Sequence, residues 1–306
     1  MLNPFSPPVE HRPGPLCPWR LEKHLDYYVA VEHSEEAFGQ FRTELQKWSG
    51  ALSRKAIMIS GEDGCGKSSL IHRCVRDLKE RSREHYEDKV WIVDLLQEPN
   101  GFGRTVPQKV KYVMDVLVDQ MFDAEDIFSE DDRKFIADAK EDVSLAARRL
   151  SRRLAKNGAI LLLMLPKIEL SQEINEYMTN YFREGIVLFF ETSELSLSAY
   201  CVSRFGADST SPIFRLQVTK IIADDGTRYK NSRLLLVSSS PIEQVPRFDD
   251  QIMEEFMEKR VKCSFGISIK ELEMVCEYAF ASALQRADGE VCYADIANYY
   301  IENGRF

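Results

Sequence analysis

The sequence predicts a three-layer α/β fold, in which a mainly parallel sheet is covered by helices and is followed by an inserted β-hairpin and a helical C-terminal lid. Three observations support this prediction. Short apolar runs alternate with amphipathic segments between residues 55 and 191, a glycine-rich loop directly follows the first run, and a helical tail begins near residue 246. Right-handed crossovers through the helices would place the apolar runs parallel in one sheet.

The composition is that of a globular chain with an acidic charge balance. The 306 residues carry a formal net charge of -9, and 44% of them are hydrophobic. This charge argues against a broad surface for nucleic acid, and no apolar run is long enough to predict a membrane span. The seven cysteines form no C-x-x-C pair, which argues against a zinc site. Because no secretory signal is recognisable, we expect reduced thiols and a cytoplasmic location.

Residues 1–54 are predicted to form a proline-rich arm followed by a leading helix. Six of the twelve prolines fall within the first twenty residues, and proline both fixes the backbone and removes a hydrogen-bond donor. Apolar residues then recur at helical spacing from Phe38 to Trp48, and Gly50 ends the pattern. The arm is therefore expected to be extended and the segment after it to be helical.

Residues 55–245 are predicted to form the nucleotide-binding core. Its predicted strands are residues 56–60, 90–96, 159–165 and 186–191. The helices that alternate with them are predicted at residues 67–82, from residue 107 onward, at 141–156 and at 171–183. The pair Asn157-Gly158 is a C-cap signal for the third of these helices.

The chain changes character after residue 193. Two apolar runs flank Asp225-Gly226, and this pair is a turn signal that predicts a β-hairpin within residues 213–239. Residues 246–306 are predicted to form the helical lid, in which Ser268 and Glu271 make a capping-box pattern ahead of an apolar helix.

The loop after the first strand matches the pattern G-x-x-x-x-G-K-[ST] at every fixed position. Its glycines allow successive backbone N–H groups to point inward at an anion, and the helix that follows adds the positive end of its dipole. Lys67 can reach the β- and γ-phosphates of a nucleotide, and the Ser68 hydroxyl can bind Mg²⁺. The predicted nucleotide-binding residues of this phosphate loop are Gly61, Glu62, Asp63, Gly64, Cys65, Gly66, Lys67, Ser68 and Ser69.

The order of these elements resembles the AAA+ and STAND group of P-loop ATPases. The opening NPFSPP and the helix before the first strand are also similar to origin-recognition-type and transposition-associated members. The resemblance implies ATP and Mg²⁺ as cofactors, adenine near residues 25–35, and Thr192 as a polar residue near the γ-phosphate. Only the phosphate loop is a specific match, because the rest of the resemblance lies in order and pattern.

The strand that carries the catalytic acids in this group lacks them here. In the group it ends in Asp-Asp or Asp-Glu, whereas the equivalent positions of this chain are Met164, Leu165 and Pro166. One acid would hold Mg²⁺ through water and the other would polarise the attacking water, and a leucine can do neither.

Three interpretations of the missing acids remain open. In the first, the chain leaves the strand irregularly at Pro166 and Glu169 is the acid. In the second, Asp94 or Glu191 at the ends of neighbouring strands substitutes for it. Otherwise the centre is degenerate and binds nucleotide without efficient turnover. By the same resemblance, Arg204 is a candidate to stabilise the transferred phosphoryl group in a neighbouring subunit, the alternative being a surface ion pair.

The segment ARRLSRRLAK places Arg148–Arg153 on a predicted helix with an apolar side. The basic face is either solvated, or an oligomer contact with the acidic residues 123–142 of a neighbour, or a local nucleic-acid patch. No aromatic residues interleave these arginines, so nucleic acid is the less favoured partner.

The leading hypothesis is a cytoplasmic ATP-binding switch whose nucleotide state controls assembly with a protein partner or with copies of itself, with weak or absent hydrolysis. The alternative is an active AAA+ ATPase that works as a motor or loader on DNA or on a protein complex. Whether the chain is an enzyme therefore stays open, and it depends on which carboxylate, if any, replaces the missing acid.

Overall fold

The computed structural model describes residues 3–6, 15–29, 32–48, 54–98, 104–206, 211–238, 246–264, 266–286 and 289–304. Residues 7–14 of the predicted proline-rich arm lie outside this part of the chain. The described strands are β1 (Lys55–Ser60), β2 (Val90–Asp94), β3 (Ile160–Met164), β4 (Ile186–Thr192) and β5 (Ile213–Gln217). The described α-helices are α1 (Glu32–Lys47), α2 (Lys67–Tyr86), α3 (Val106–Gln120), α4 (Glu130–Ala137), α5 (Val143–Asn157), α6 (Ser171–Tyr181), α7 (Leu195–Phe205), α8 (Ala223–Ser238), α9 (Asp250–Ser264), α10 (Ile269–Gln285) and α11 (Tyr293–Glu302).

The five strands form one parallel sheet in the order β2-β3-β4-β1-β5. Every position of β3 and β4 is buried, as expected for strands that helices cover on both faces. The predicted three-layer α/β fold is therefore confirmed. Because the strands are parallel, all their carboxyl ends meet at one edge of the sheet, and β1 leaves this edge to enter the phosphate loop.

The chain divides into two compact units. The first unit contains Met1–Ala37, Glu62–Ser69 and Val218–Phe306, and the second contains Phe38–Gly61 and Leu70–Gln217. The sheet belongs to the second unit, whereas helices α8 to α11 belong to the first. The segment that carries these helices begins at Val218, and residues 62–69 of the phosphate loop belong to the same unit.

The core of the second unit lies between the sheet and a layer of helices. Leu161 and Leu163 of β3, and Leu165 directly after it, are fully buried and belong to one core cluster with side chains of α3, α5 and α6. Helix α5 ends at Gly158 with φ 62°, in the left-handed region, which confirms the predicted cap and fixes where β3 begins.

The core of the first unit includes a residue from the N-terminal arm. Phe5 is fully buried, and its ring lies 6.3 Å from that of Tyr229, 6.1 Å from that of Phe248 and 5.7 Å from that of Phe280. Nearby, the Asn3 side chain donates to the carbonyl oxygen of Glu277 at 2.8 Å. The arm therefore completes the aromatic core of the C-terminal helices.

The predicted hairpin within residues 213–239 is wrong. Strand β5 pairs parallel with β1, and the segment after it forms helix α8. Asp224 and Asp225 lie in the first turn of this helix, where their negative charges interact favourably with the positive end of the helix dipole. Gly226 lies in this helix, and a Cβ atom placed on it would be 2.5 Å from the Cγ atom of Met257 in α9. The glycine thus allows two helices to approach closely, and it does not form a turn.

Among the described residues, no helix combines the length and the low polarity that crossing a bilayer would require.

The Gly226–Met257 contact predicts the effect of a single methyl group. We expect Gly226→Ala to destabilise the protein by about 1–3 kcal/mol, because overpacking forces side chains off their rotamers. Thermal unfolding followed by circular dichroism measures this change. Gly226→Ala combined with Met257→Ala should remove the clash, so the double variant should lose less stability than the two single losses added together. Strict additivity would contradict the contact.

Candidate nucleotide-binding site

The phosphate loop depends on glycine at two positions that face helix α10. Gly64 and Gly66 have φ angles of 79° and 80°, in the left-handed region that other residues adopt only with strain. A Cβ atom on Gly64 would lie 2.9 Å from the hydroxyl oxygen of Ser268, and one on Gly66 would lie 3.3 Å from the Cδ1 atom of Ile269. The backbone of the loop is therefore held in its conformation and packed closely against the start of α10.

Two polar contacts anchor the loop within the first unit. The backbone N–H of Lys270 donates to the carbonyl oxygen of Gly64 at 3.1 Å, and the Lys220 ammonium lies 2.9 Å from the Glu62 carboxylate. Ser268 caps α10 by accepting from the N–H of Glu271 at 3.2 Å, as the capping pattern predicts. A change in the loop would therefore be felt directly at the first turn of α10.

Lys67 is the buried cation of the site. Its residue is 5% exposed, and its ammonium donates to the Glu62 carbonyl oxygen at 2.8 Å and lies 3.7 Å from the Asp63 carboxylate. A buried ammonium must have oxygen partners, because removing it from water is otherwise very costly. Phosphate oxygens supply the same kind of partner with a larger negative charge, so the loop fits a nucleotide phosphate.

The two serines after Lys67 have different surroundings. The Ser69 hydroxyl accepts from the backbone N–H of Leu16 at 3.1 Å, and the Tyr28 hydroxyl donates to the Ser69 carbonyl oxygen. Ser69 therefore ties the N-terminal arm to the start of α2. Ser68, the serine of the G-K-[ST] pattern, is half-buried. Its hydroxyl is a group that can hold Mg²⁺, an ion usually bound by few protein oxygens together with substrate phosphates.

Cys65 is buried and fills space within the loop. Burial raises the pKa of its thiol, the carboxylates of Glu62 and Asp63 act in the same direction, and Lys67 opposes them. The thiol is therefore protonated at neutral pH and is a poor nucleophile. The cavity beside it measures about 10 Å³ and is lined by Ser34, Cys65, Val218, Thr219, Lys220, Ile221, Asp225 and Ile269. This space holds about one water molecule and no nucleobase.

The second unit carries the polar residues at the carboxyl edge of the sheet. Met164 ends β3 between Asp94 of β2 and Phe189 of β4, and both Met164 and Leu165 are fully buried. Beyond Pro166 the chain continues beside β4, since the N–H of Ile168 donates to the Glu191 carbonyl oxygen at 2.9 Å. The described strand therefore brings no carboxylate to its own carboxyl end.

The three candidate acids lie in different places. Glu169 is exposed, and its N–H donates to the Glu173 carboxylate at 2.7 Å. Asp94 accepts from the N–H of Leu96 at 3.2 Å and lies 3.9 Å from His72, and its strand is three positions from β1 in the sheet, which is roughly 14 Å. Glu191 is 8% exposed and belongs to β4, the direct neighbour of β1. Of the three, Glu191 is the closest to the strand that enters the loop.

Thr192 ends β4 opposite Ser60, the last residue of β1. Its carbonyl oxygen accepts from the N–H of Gly61 at 3.2 Å, and its hydroxyl accepts from the N–H of Glu194 at 3.0 Å. The sheet thus continues into the first residue of the phosphate loop, and Thr192 lies beside that point.

Arg204 lies at the other edge of the sheet. It lines a cavity of about 280 Å³ with Phe205 and Pro212, and the Pro212 carbonyl oxygen accepts from the N–H of Ala56 at the start of β1. An arginine at the amino edge does not meet groups at the carboxyl edge of its own sheet. If Arg204 acts on a nucleotide, that nucleotide is bound by another molecule.

No protein-family model matches the chain, and a search of curated proteins finds no significant match. Solved structures do resemble it. The ORC1 protein of Aeropyrum pernix in complex with DNA is 14% identical with a TM-score of 0.59, over 94% of this chain and 69% of that one. The ORC2 protein of Aeropyrum pernix, solved with ADPNP and ADP, is 15% identical with a TM-score of 0.57, over 88% and 67%. Cdc6p of Pyrobaculum aerophilum is 11% identical with a TM-score of 0.55, over 98% and 70%. The chain therefore has the fold of the origin-recognition type of AAA+ P-loop ATPases.

The loop geometry predicts the effect of changing Gly64. We expect Gly64→Ala to destabilise the protein by about 1–2 kcal/mol from its backbone conformation alone, and to weaken the binding of Mg²⁺-ATP because the amide groups of the loop are displaced. Thermal unfolding and isothermal titration calorimetry measure the two effects.

Gly39→Ala is the matched control for this prediction. Gly39 lies within α1, and a Cβ atom on it would meet nothing within 4 Å, so this substitution should stabilise the protein by about 0.5–1 kcal/mol. If Gly64→Ala binds ATP as well as Gly39→Ala does and melts no lower, the described loop conformation is not the one that binds nucleotide.

Proposed function

We propose that this chain is a cytoplasmic ATP-binding switch that couples nucleotide binding to assembly with a protein partner or with a second copy of itself, and that hydrolyses ATP weakly or not at all. The observation that carries the proposal is the contrast between two parts of the chain. The phosphate loop has its glycines, its buried Lys67 and its Ser68, whereas Met164 and Leu165, which the resemblance equates with the acids, are fully buried.

The binding half of the proposal rests on the fit of the phosphate loop. The β- and γ-phosphates of ATP would take over the ammonium of Lys67 from the Glu62 carbonyl oxygen, to which it donates at 2.8 Å. Mg²⁺ would neutralise charge on the phosphates and would be held by the Ser68 hydroxyl. ATP is favoured over GTP because the chain contains no N-K-x-D sequence, and the similar Aeropyrum pernix protein was solved with adenine nucleotides.

The switching half rests on the contacts of the loop with the C-terminal helices. When the Lys67 ammonium leaves the Glu62 carbonyl oxygen, the loop residues 62–64 lose an internal tie and can move. Gly64 is bonded to the first turn of α10, and Glu62 is paired with Lys220. A ligand shifts an equilibrium between conformations only through differential contacts, and these contacts link bound phosphate to the C-terminal helices.

The proposal of weak hydrolysis follows from the chemistry of the missing acids. A general base must accept a hydrogen bond from the attacking water, and thioether and aliphatic groups cannot do so effectively. The binding of nucleotide requires neither a base nor a transition-state contact, so a chain that lacks the acids retains the ability to signal its nucleotide state.

Reduced thiols support the cytoplasmic part of the proposal. None of the seven cysteines, all of which the structure describes, forms a disulfide bond: Cys17, Cys65, Cys74, Cys201, Cys263, Cys276 and Cys292. Unpaired cysteines are typical of proteins kept in a reducing compartment.

The alternative function is an active ATPase that acts on DNA or on a protein complex. The observation that favours this alternative is the burial of Glu191 in β4, beside β1. Glu169 is exposed and is the weaker candidate for the catalytic acid. Arg204 would complete the site of a neighbouring copy in such an assembly, since it lies at the amino edge of its own sheet. Nucleic acid as a partner through Arg148–Arg153 belongs to this alternative and is not favoured.

Lys67→Ala tests the binding of ATP. We expect it to weaken the binding of Mg²⁺-ATP at least about tenfold, because the charge-assisted hydrogen bonds to the phosphates are lost. Isothermal titration calorimetry measures the affinity. Lys79→Ala is the control, because it removes the same charge from the same helix about 18 Å further along its axis. Equal binding by both variants would contradict the phosphate-loop assignment.

A turnover assay tests the absence of efficient hydrolysis. We expect phosphate release from Mg²⁺-ATP at well below about 1 per second, and no further decrease in Asp94→Asn, Glu169→Gln or Glu191→Gln. A faster rate that Lys67→Ala abolishes would overturn the switch in favour of the active ATPase. In that event the carboxylate whose substitution removes turnover without weakening ATP binding is the catalytic acid.

A further inference from the structure

A cavity lined by arginines opens at the amino edge of the sheet in the second unit. It measures about 280 Å³, and its walls include Arg54, Arg148, Arg152, Phe182, Arg183 and Glu184. Arg54 directly precedes β1, and Arg183 and Glu184 are separated from β4 by Gly185 alone. Three separate segments of the chain therefore bring four guanidinium groups to one concave site.

The arginines of helix α5 fall into two classes. Arg149 donates to the Phe135 carbonyl oxygen and lies 4.4 Å from the centre of the Phe135 ring, and Arg153 lies 3.0 Å from the Asp132 carboxylate. Arg148 and Arg152 are exposed, and neither forms an ion pair with any carboxylate in the part of the chain that the structure describes. One helix thus uses two arginines for its own packing and presents the other two, one turn apart, to the cavity.

Arg183 is held in a fixed orientation at the wall of the cavity. Its Nε atom donates to the Asn180 carbonyl oxygen at 2.8 Å, and Nη2 donates to the Thr179 carbonyl oxygen at 3.1 Å and to the Ser144 hydroxyl at 3.3 Å. Burial lowers the pKa of its guanidinium, and the positive charges of Arg148 and Arg54 lower it further. Because this guanidinium is already oriented and lies near other positive charges, it binds an anion with little further loss of side-chain conformational entropy.

Arg54 adds a strained residue to the same wall. It has a φ angle of 60°, which an arginine adopts only with strain, and its guanidinium lies 5.5 Å from the centre of the Phe182 ring. The one carboxylate of the wall, that of Glu184, forms no ion pair with a described arginine. The cavity therefore gathers like charges that the described chain does not neutralise.

We propose that this cavity binds a phosphate monoester carried by a partner protein, that is, a phosphoserine or phosphothreonine side chain. Clusters of arginine recognise such groups because each planar guanidinium can donate two parallel hydrogen bonds to the oxygens of a phosphate dianion. A nucleic-acid strand fits the observations less well. It requires a positive track past several phosphates, whereas here the charge is confined to one cavity of a chain whose formal net charge is -9.

The proposal is independent of ATP binding, because the cavity lies at the amino edge of the sheet and the phosphate loop begins at the carboxyl edge. The test is therefore carried out on the full chain with Lys67→Ala, which disables the phosphate loop as a second anion site. A fluorescent degenerate peptide mixture with one central phosphoserine is titrated by fluorescence anisotropy. The same mixture without the phosphate, inorganic phosphate as a competitor, and an oligo(dT) strand form the other arms.

We expect the phosphorylated mixture to bind at least tenfold more tightly than the unphosphorylated one, with competition by inorganic phosphate. Adding Arg148→Gln with Arg152→Gln should weaken this binding at least tenfold. The control pair Lys140→Gln with Lys156→Gln removes the same charge from exposed positions outside the cavity, and it should leave the affinity within about twofold. Arg152→Lys, which keeps the charge but loses the planar guanidinium and its paired hydrogen bonds, should weaken binding by an intermediate factor.

Three outcomes would overturn the proposal. Equal binding of phosphorylated and unphosphorylated peptides would show that no phosphate is recognised. An equal effect of the control pair would show that general charge and not the cavity is responsible. Tighter binding of oligo(dT), lost in the Arg148 and Arg152 variant, would assign the cavity to nucleic acid. The variant should melt no lower than the parent, since removing like charges one turn apart on a helix surface does not destabilise it, so a loss of binding is not a loss of fold.

Discussion

The burial of one ammonium group sets the conditions for the candidate nucleotide site. Lys67 is 5% exposed, and a cation withdrawn from water must be surrounded by oxygen atoms. The loop meets this requirement from its own backbone through the Glu62 carbonyl oxygen, and between these two residues Gly64 and Gly66 turn the chain through the left-handed region. The same turn brings the Gly64 carbonyl oxygen to the N–H of Lys270. The conformation of the loop and its attachment to α10 therefore follow from where the ammonium is placed.

The apolar end of β3 shows how the stability of a sheet and its chemistry compete. Each large aliphatic side chain that is fully buried contributes roughly 1.5–3 kcal/mol relative to exposure, and β3 is buried at all its positions. Met164 is the direct neighbour of Asp94 across the β2–β3 pair. An aspartate in its place would put two carboxylates side by side, which is destabilising unless a cation lies between them. Under the proposed function, in which efficient hydrolysis is absent, the methionine would favour the stability of the sheet.

Local patterns in the sequence predicted the parts of the structure that local forces determine. The strands β1 to β4 and the cap at Gly158 follow from signals that lie within a few residues of each other, and the glycine pattern of the phosphate loop is equally local. The pair Asp225-Gly226 predicts a turn, but Gly226 lies in α8, where the absence of a side chain makes room for Met257 of another helix. The sequence patterns do not predict helices α4 and α7. The contacts of Gly64 with Ser268 and Lys270, and the gathering of Arg54 with Arg148, join segments far apart in the chain, so no local pattern could reveal them.

The burial of Phe5 has a consequence for the order in which parts of the protein fold. The contact between Asn3 and Glu277 spans 274 residues, and the rings that enclose Phe5 come from Tyr229, Phe248 and Phe280. A ribosome therefore releases the N-terminal phenylalanine long before the residues that shelter it exist. Contacts between such distant segments are slow to form, so the burial of this ring is expected to be a late step of folding that depends on the C-terminal helices.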